Sequence, residues 1–232
     1  MYARAYRKAL ITVGGNTTLL RAMAFFWKAI PYRARRGVTF LFIKAVLFEK
    51  RLLKIEEQTE ITPIKDLGSL AYWGIPDVDL DRFVLAVDGA VDRPLSLSWQ
   101  ELLALPRIDR QVRMDCVGGF RNNSVMTGVP VQHLLDLAGA SPQAQRVVFH
   151  CLDGYYVSLE LEDLREGEAF LASTTNGEEL PKFGFPLRLA MPRKYGFQWA
   201  KWVNRLEVVT DDRKGYWAKL GLSDRGDVGD VW

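Results

Sequence analysis

The chain has 232 residues and a net charge of +3, and 48% of its residues are hydrophobic, which excludes a disordered protein and allows one sizeable core. Its two cysteines and two histidines are too few for a zinc site or an iron–sulfur cluster held by protein ligands alone. They also exclude a disulfide framework, although a single bridge between Cys116 and Cys151 stays possible.

Charge is unevenly divided along the chain. Residues 1–58 carry twelve Lys and Arg against three Glu, a net charge of +9, whereas the remaining residues carry nineteen against twenty-five acidic residues, a net charge of −6. A basic segment of this kind predicts contact with an anionic surface or partner, such as phospholipid, nucleic acid or an acidic protein. We expect no nucleic acid, because the sequence contains no recognised nucleic-acid-binding module.

Residues 1–60 are predicted to form a basic helical arm. Apolar residues recur at helical spacing over residues 17–30 and again over residues 38–58. In the second helix one side is formed by Leu41, Ala45, Phe48, Leu52 and Ile55. Neither segment is a membrane span, since Lys44 interrupts a stretch that is already shorter than the roughly 18–20 apolar residues a bilayer requires.

The arm is typical of amphipathic helices that lie in the plane of a membrane surface. We therefore expect peripheral membrane or partner-subunit contact through residues 1–58. The alternative is an arm that packs against the protein's own domain. We recognise no cleavable signal, because no small-residue cleavage site follows the pair Arg35-Arg36, and the compartment stays open.

Residues 61–232 are predicted to form one β-rich α+β domain. Strands are expected at residues 82–91, 111–115, 146–151, 155–161, 187–191 and 205–210, and short helices at 99–105 and 131–138. Ser98 is placed to cap the first of these helices, and Gly139 to terminate the second. Strands interspersed with isolated short helices favour an α+β fold over an alternating parallel one.

Cys116 lies in the run RMDCVGGFRNN, where a Gly pair follows it directly. About seventy residues later the run FGFPLRLAMPRKYGFQWAKW is dense in Gly, Pro, cations and Trp. A soft thiolate on a Gly-rich loop, together with a distant cationic loop, suits a metal held by sulfur and carried on an anionic organic cofactor. A small buried hydrophobe is the simpler interpretation of a lone cysteine.

From about Leu67 to Tyr216 the chain resembles the molybdopterin-binding domain of the sulfite oxidase family, especially haem-free bacterial members such as the methionine sulfoxide reductase catalytic subunit. The runs that match in order are WGIPDVDLDRFVLAVDGAVDRPLSLSWQELLALP, DCVGGF with TGVPVQHLL, DGYYVSLEL and GFPLRLAMPRKYGFQWAKWVNRLEVV. The resemblance implies a mononuclear molybdenum oxidoreductase. It would use molybdopterin for two-electron oxygen-atom transfer on a small substrate.

The resemblance also implies which residues hold the cofactor. Cys116 occupies the position of the protein thiolate that binds molybdenum. Arg188 matches an arginine at the phosphate end of the pterin, and Trp199, Ala200 and Lys201 match a short loop that wraps that phosphate.

Three further site residues are less narrowly defined. Arg121 is a candidate to face the oxo ligands of the metal or an anionic substrate, or else it is a surface arginine. Tyr155 or its neighbour Tyr156 is a candidate phenol of the substrate pocket. Cys151 aligns with a Ser or Thr that touches the cofactor in relatives, and is otherwise a core residue of a strand.

Two departures from the family pattern concern the substrate. Phe183 stands where relatives carry His or Asn, and Tyr72-Trp73-Gly74 stands where sulfite oxidases carry a cationic stretch. No haem-binding motif is visible, so we expect a separate haem or quinone-linked electron-transfer protein as partner. The alternative is a non-catalytic, membrane-associated subunit that retains the fold and uses the arm for assembly.

Overall fold

The computed structural model describes residues 30–52, 57–69, 71 and 74–231. The strands are β1 (Val84–Gly89), β2 (Leu95–Ser98), β3 (Ile108–Asp115), β4 (Arg121–Pro130), β5 (Arg146–Cys151), β6 (Tyr156–Glu160), β7 (Phe170–Thr175), β8 (Glu178–Glu179), β9 (Arg188–Ala190) and β10 (Val203–Val209). The α-helices are α1 (Tyr32–Leu52), α2 (Trp99–Ala104), α3 (Val131–Ala138), α4 (Leu161–Glu166) and α5 (Tyr216–Lys219). The predicted α+β class is confirmed.

The strands form two sheets around one core. The first sheet has the order β2-β1-β10-β5-β6, in which β1 and β10 are parallel and the other pairs are antiparallel. The second has the order β3-β4-β7-β8, with β9 also paired to β7, and is antiparallel throughout. Leu85 and Phe149 of the first sheet share a continuous buried cluster with Val112 and Phe170 of the second.

Two predicted helix boundaries are confirmed in atomic detail. The Ser98 hydroxyl accepts a hydrogen bond from the backbone N–H of Glu101, and the Glu101 carboxylate accepts one from the backbone N–H of Ser98. This reciprocal pair satisfies two backbone donors that the first turn of α2 leaves open. Helix α3 ends at Gly139, whose φ of +67° is accessible to glycine at little cost.

Strand β4 was not predicted, and its composition explains why. Its first four residues, Arg121–Ser124, are polar and yet all buried, so the strand lacks the apolar alternation expected of one. Asn122 exchanges two hydrogen bonds with the backbone of Gly68, and Asn123 donates to the carbonyls of Gln58 and Glu60. These side chains fasten the segment 58–68 to the sheet, which is why they are buried. Strand β7 and helix α4 were also missed.

Helix α1 contains the start of the second predicted arm helix, while residues 17–29 of the first lie outside the described part of the chain. Thr39, Ile43 and Val46 are buried, and Ile43 packs in a cluster that includes Tyr195 and Phe197. One face of the helix therefore packs on the protein's own domain. Within the described residues, no helix is both long enough and apolar enough to cross a membrane.

Candidate functional site

Cys116 lies in the turn that joins β3 to β4. Its backbone N–H donates to the carbonyl of Phe120 (2.9 Å), and the N–H of Gly119 donates back to the carbonyl of Cys116 (3.1 Å). The N–H of Gly118 points at Sγ of Cys116, 3.2 Å away. A backbone donor of this kind stabilises sulfur as an anion. Cys116 is 8% exposed, so the turn presents a sulfur atom that is fixed and nearly enclosed.

A buried ion pair fixes this turn from both sides. Asp115 precedes Cys116, and its carboxylate accepts hydrogen bonds from Nε (3.0 Å) and Nη2 (2.9 Å) of Arg121 at the start of β4. Both side chains are buried. From the sequence, Arg121 was predicted to face the oxo ligands of the metal or an anionic substrate, or else to lie at the surface. In the structure its partner is the Asp115 carboxylate. The geometry makes Arg121 a residue that holds the Cys116 turn in position.

Arg188 is a half-buried cation with poor protein partners. Its Nη2 donates to Sδ of Met114 (3.6 Å), a weak acceptor, and its guanidinium lies 5.8 Å from the ring centre of Trp199. Its buried Nε has no hydrogen-bond partner among the described residues, and no described carboxylate forms an ion pair with Arg188. Burial lowers the pKa of Arg188 to about 10. The fold therefore encloses this charge without neutralising it.

Lys201 lies beside Arg188, because the two residues form an antiparallel backbone bridge. Its Nζ donates to the hydroxyl of Ser69 (3.1 Å) and lies 4.9 Å from the ring centre of Trp202. Burial lowers the pKa of Lys201 to about 8, with a further contribution from the positive charge of Arg188. Asp153, Cys116 and Cys151 act in the opposite direction, so all these groups are within electrostatic reach of Lys201.

These two cations fit an anionic cofactor tail. Two adjacent, half-buried positive charges repel each other, and the repulsion is relieved when an anion accepts hydrogen bonds from both. A phosphate group does this and also supplies an acceptor for Nε of Arg188. Trp199 and Ala200 are buried beside these cations, and the Trp199 indole N–H donates to the carbonyl of Lys194.

Cys151 ends β5 and is a free thiol, as is Cys116, so the disulfide that the sequence allowed is absent. Burial raises the pKa of the Cys151 thiol well above its ordinary value, and the nearby carboxylate of Asp153 raises it further. A thiol held protonated in this way is a poor metal ligand. Cys151 joins the hydrophobic core cluster, as one of its two predicted settings has it, and lies within electrostatic reach of Lys201. Its contact with the cofactor stays a prediction.

Tyr155 has a protein partner for its hydroxyl group. The phenol donates to the backbone carbonyl of Phe197, and its ring contacts that of Tyr216 edge to face. This geometry ties Tyr155 to the segment 195–197, which packs against the Cys116 turn, instead of leaving the phenol free toward a substrate as predicted. Tyr156 accepts a hydrogen bond from Nζ of Lys219.

An open cleft lies beside Arg188. Phe183 lines the cleft together with Ser69, Lys65 and Lys182, and it packs partly against Trp202. The aromatic ring of Phe183 therefore forms part of the cleft wall. The second departure from the family pattern is the stretch Tyr72-Trp73-Gly74. Gly74 has a φ of +101°, whereas Tyr72 and Trp73 lie outside the described residues.

Sequence reasoning missed four residues of this region: Ser69, Met114, Asp115 and Asp153. Asp115 carried a usable signal, because an acid and a base that flank a five-residue turn are placed to form an ion pair. Asp153 was interpreted only as part of a turn with Gly154, whereas it is a half-buried carboxylic acid whose pKa is raised by burial.

Residues 72–217 match the family model described as oxidoreductase molybdopterin-binding domain. The chain belongs to this family. The predicted resemblance and the predicted cofactor, molybdenum on molybdopterin, are thereby confirmed, and the protein is a molybdopterin-binding oxidoreductase.

Two curated proteins and one solved structure are similar to the chain. It is 32% identical over 167 residues to the uncharacterized oxidoreductase YuiH of Bacillus subtilis (strain 168), covering 71% of this chain and 82% of that protein. It is 29% identical over 163 residues to the protein-methionine-sulfoxide reductase catalytic subunit MsrP of Gluconobacter oxydans (strain 621H), covering 62% of this chain and 52% of the relative. The structure of the sulfane dehydrogenase SoxCD from Paracoccus pantotrophus has a TM-score of 0.63 at 26% identity.

The SoxCD alignment covers 66% of this chain and 45% of that chain. The aligned part of the chain thus spans about half the length of MsrP and of the SoxCD chain, and most of the length of YuiH.

Proposed function

We propose that this molybdopterin oxidoreductase transfers an oxygen atom to or from a small substrate and exchanges two electrons with a separate redox protein. The observation that carries the proposal is the pair of half-buried cations, Arg188 and Lys201, whose backbones pair directly, with Arg188 in contact with Met114, two residues before Cys116. A sulfur ligand and a neighbouring pair of phosphate-binding cations are the two groups that a metal carried on a pterin phosphate requires.

Cys116 is the protein ligand of the metal in this proposal. Its Sγ is fixed by the N–H of Gly118, and the Asp115–Arg121 pair holds the turn on either side. Cys151, the other thiol, is held protonated by its buried surroundings. The two cysteines are therefore chemically distinct, and only the first is suited to bind as a thiolate.

Arg188 and Lys201 hold the phosphate end of the cofactor, with the backbone of residues 199–201 beside them. The bound cofactor supplies the two-electron oxygen-atom chemistry, and the chain supplies position and electrostatics. Phe183 adds an aromatic ring to a cleft that Lys65, Lys182 and Arg188 also line. A sulfoxide, an N-oxide and the sulfite anion are therefore all candidate substrates.

A separate electron partner is the second element of the proposal. The Gluconobacter relative is named a catalytic subunit, and a subunit belongs to an assembly with another chain. This name supports a separate partner for the present protein. We expect a haem or quinone-linked protein, because such carriers exchange electrons without transferring atoms to the substrate.

Cofactor analysis of the purified full-length protein tests the proposal. We expect stoichiometric molybdenum, a fluorescent pterin after oxidation, and turnover of a sulfoxide or an N-oxide with an artificial electron donor or of sulfite with an artificial electron acceptor. Cys116→Ser should abolish turnover while leaving the fold intact, and Cys151→Ser, the same atomic change at the other thiol, should retain most of it. Protein that is repeatedly free of molybdenum and pterin, although its host is supplied with molybdate, would refute the proposal.

A further inference from the structure

The outward face of helix α1 is apolar and exposed. Val38, Leu41, Ala45 and Phe48 form this face; Leu41 is 69% exposed and Phe48 67%. At 3.6 residues per turn, the four positions fall within an arc of about 80°, on the side of the helix away from the buried Ile43. Adjacent large apolar side chains are left this open mainly where another surface covers them.

The charge on α1 indicates what that surface is. Residues 30–48 contain four basic residues and neither Asp nor Glu, and residues 1–58 as a whole carry a net charge of +9. Lys44 is exposed at the edge of the outward face. An apolar stripe bordered by a cation suits a helix that lies at a membrane surface, with its apolar side chains in the acyl boundary and its cations at lipid phosphates.

The same helix lies close to the candidate metal site. Its inner face packs through Ile43 on Tyr195 and Phe197, and Val117, the residue after Cys116, packs on that same cluster. A Cβ atom built on Gly196 would lie 3.5 Å from the Cα atom of Cys116. The segment 195–197 is thus a single layer between α1 and the Cys116 turn.

We propose that the protein lies on an anionic lipid bilayer through the outward face of α1, with the Cys116 turn on the side of the molecule nearest the membrane. Lys44 pairs with lipid phosphates, and Leu41 and Phe48 enter the acyl boundary. This arrangement places the Cys116 turn one helix and one layer of residues away from the membrane. The bilayer contact itself does not depend on the redox chemistry.

Flotation of the full-length protein with vesicles tests this surface. Wild-type protein should float with vesicles that contain phosphatidylglycerol and should bind at least tenfold more weakly to phosphatidylcholine alone. The double variant Leu41→Ser/Phe48→Ser should lose at least tenfold of its binding to the anionic vesicles. The matched control Leu152→Ser/Val228→Ser, which removes exposed apolar side chains elsewhere, should bind as wild type does.

Charge is tested separately. Lys44→Glu should weaken binding to the anionic vesicles severalfold, and raised salt should do the same, because lipid attraction is screened. Circular dichroism and molybdenum content of each variant verify that the domain is intact, so failed binding is distinguished from failed folding or failed catalysis. Two results would overturn the proposal. If wild-type protein does not float, the face is assigned to a protein partner. If the double variant floats as well as wild type, the bilayer contact is assigned to other residues, such as 1–29.

Discussion

Two regions of this protein shield a cation from solvent in opposite electrostatic arrangements, around the buried Arg146 and around the half-buried Arg188. Away from the site, Nη1 of Arg146 lies 2.9 Å from carboxylates of both Asp212 and Asp224. At the site, Arg188 has a thioether as its side-chain acceptor and a buried Nε with no described partner. A cation that stabilises the fold is neutralised by the fold. A cation that is left unneutralised is available to a ligand, at a cost in stability.

Breaking a neutralised pair should give the largest stability effect. Asp163 and Lys194 are both buried, and Nζ of Lys194 lies 2.9 Å from the Asp163 carboxylate. Asp163→Asn removes the buried negative charge and leaves the ammonium with the partly exposed carboxylate of Asp227, 2.8 Å away, so the free energy of unfolding should fall by about 1.5–3 kcal/mol. Denaturant unfolding measures the difference. The exposed pair of Arg213 with Asp211 is the control, and Asp211→Asn should leave the unfolding midpoint unchanged.

The opposite result is expected at the site. Arg188→Met removes a cation that the apoprotein does not neutralise, so cofactor-free protein should be as stable as wild type or more stable. Cofactor content should fall at least tenfold, because the phosphate loses a charged donor. Apoprotein stability is measured by unfolding protein from a host that cannot make the cofactor. Cofactor content is measured as pterin in protein from a host that can. A large loss of apoprotein stability would place Arg188 with the structural cations.

A smaller effect is expected from pH. The pKa of Lys201 is about 8 in the folded protein, against an ordinary value of 10.5. Below pH 8 both states hold the proton, so folding bears the full cost of burying the ammonium. Between pH 8 and 10.5 only the unfolded chain holds it, so the stability of the cofactor-free protein gains with rising pH.

Lys201→Met should remove this gain. Unfolding midpoints of wild type and variant, measured at about pH 7 and about pH 9.5, isolate the contribution of this one residue from the other groups that titrate. If the difference in unfolding midpoint between wild type and Lys201→Met is the same at both pH values, Lys201 is already neutralised by the protein.

The smallest effect is expected at Tyr155. Its phenol donates one hydrogen bond, to the carbonyl of Phe197. Tyr155→Phe should therefore lower the free energy of unfolding by about 0.5–1.5 kcal/mol and leave kcat within about threefold of wild type. Loss of kcat by more than tenfold, at unchanged stability, would restore Tyr155 to the substrate pocket.

The sequence predicted the elements whose signals are local. The Ser98 cap, the Gly139 terminator and strand β5 depend on adjacent residues, and the structure confirms all three. Strand β4 was missed because its buried Asn122 and Asn123 serve backbone groups about sixty residues earlier in the chain. Partners so distant leave no periodic pattern.

In the candidate site, too, some residues could be predicted from the sequence and others could not. Cys116 and Arg188 were predictable because motifs and a family resemblance mark their positions. The partner of Arg121 was not predicted, since nothing in a single arginine indicates whether it faces a ligand or an adjacent carboxylate. The outward face of α1 contains Leu41 and Phe48, as the periodicity predicted. Its buried inner face agrees with the alternative in which the arm packs on the protein's own domain; helical periodicity alone could not decide between the two.

The most direct test of the central claim is the sulfur coordination of molybdenum, measured by X-ray absorption spectroscopy on wild type, Cys116→Ser and Cys151→Ser. If Cys116 is the ligand, the metal in Cys116→Ser has one sulfur neighbour fewer than in wild type, whereas Cys151→Ser is unchanged. An identical sulfur shell in wild type and Cys116→Ser, at equal molybdenum content, would contradict the assignment.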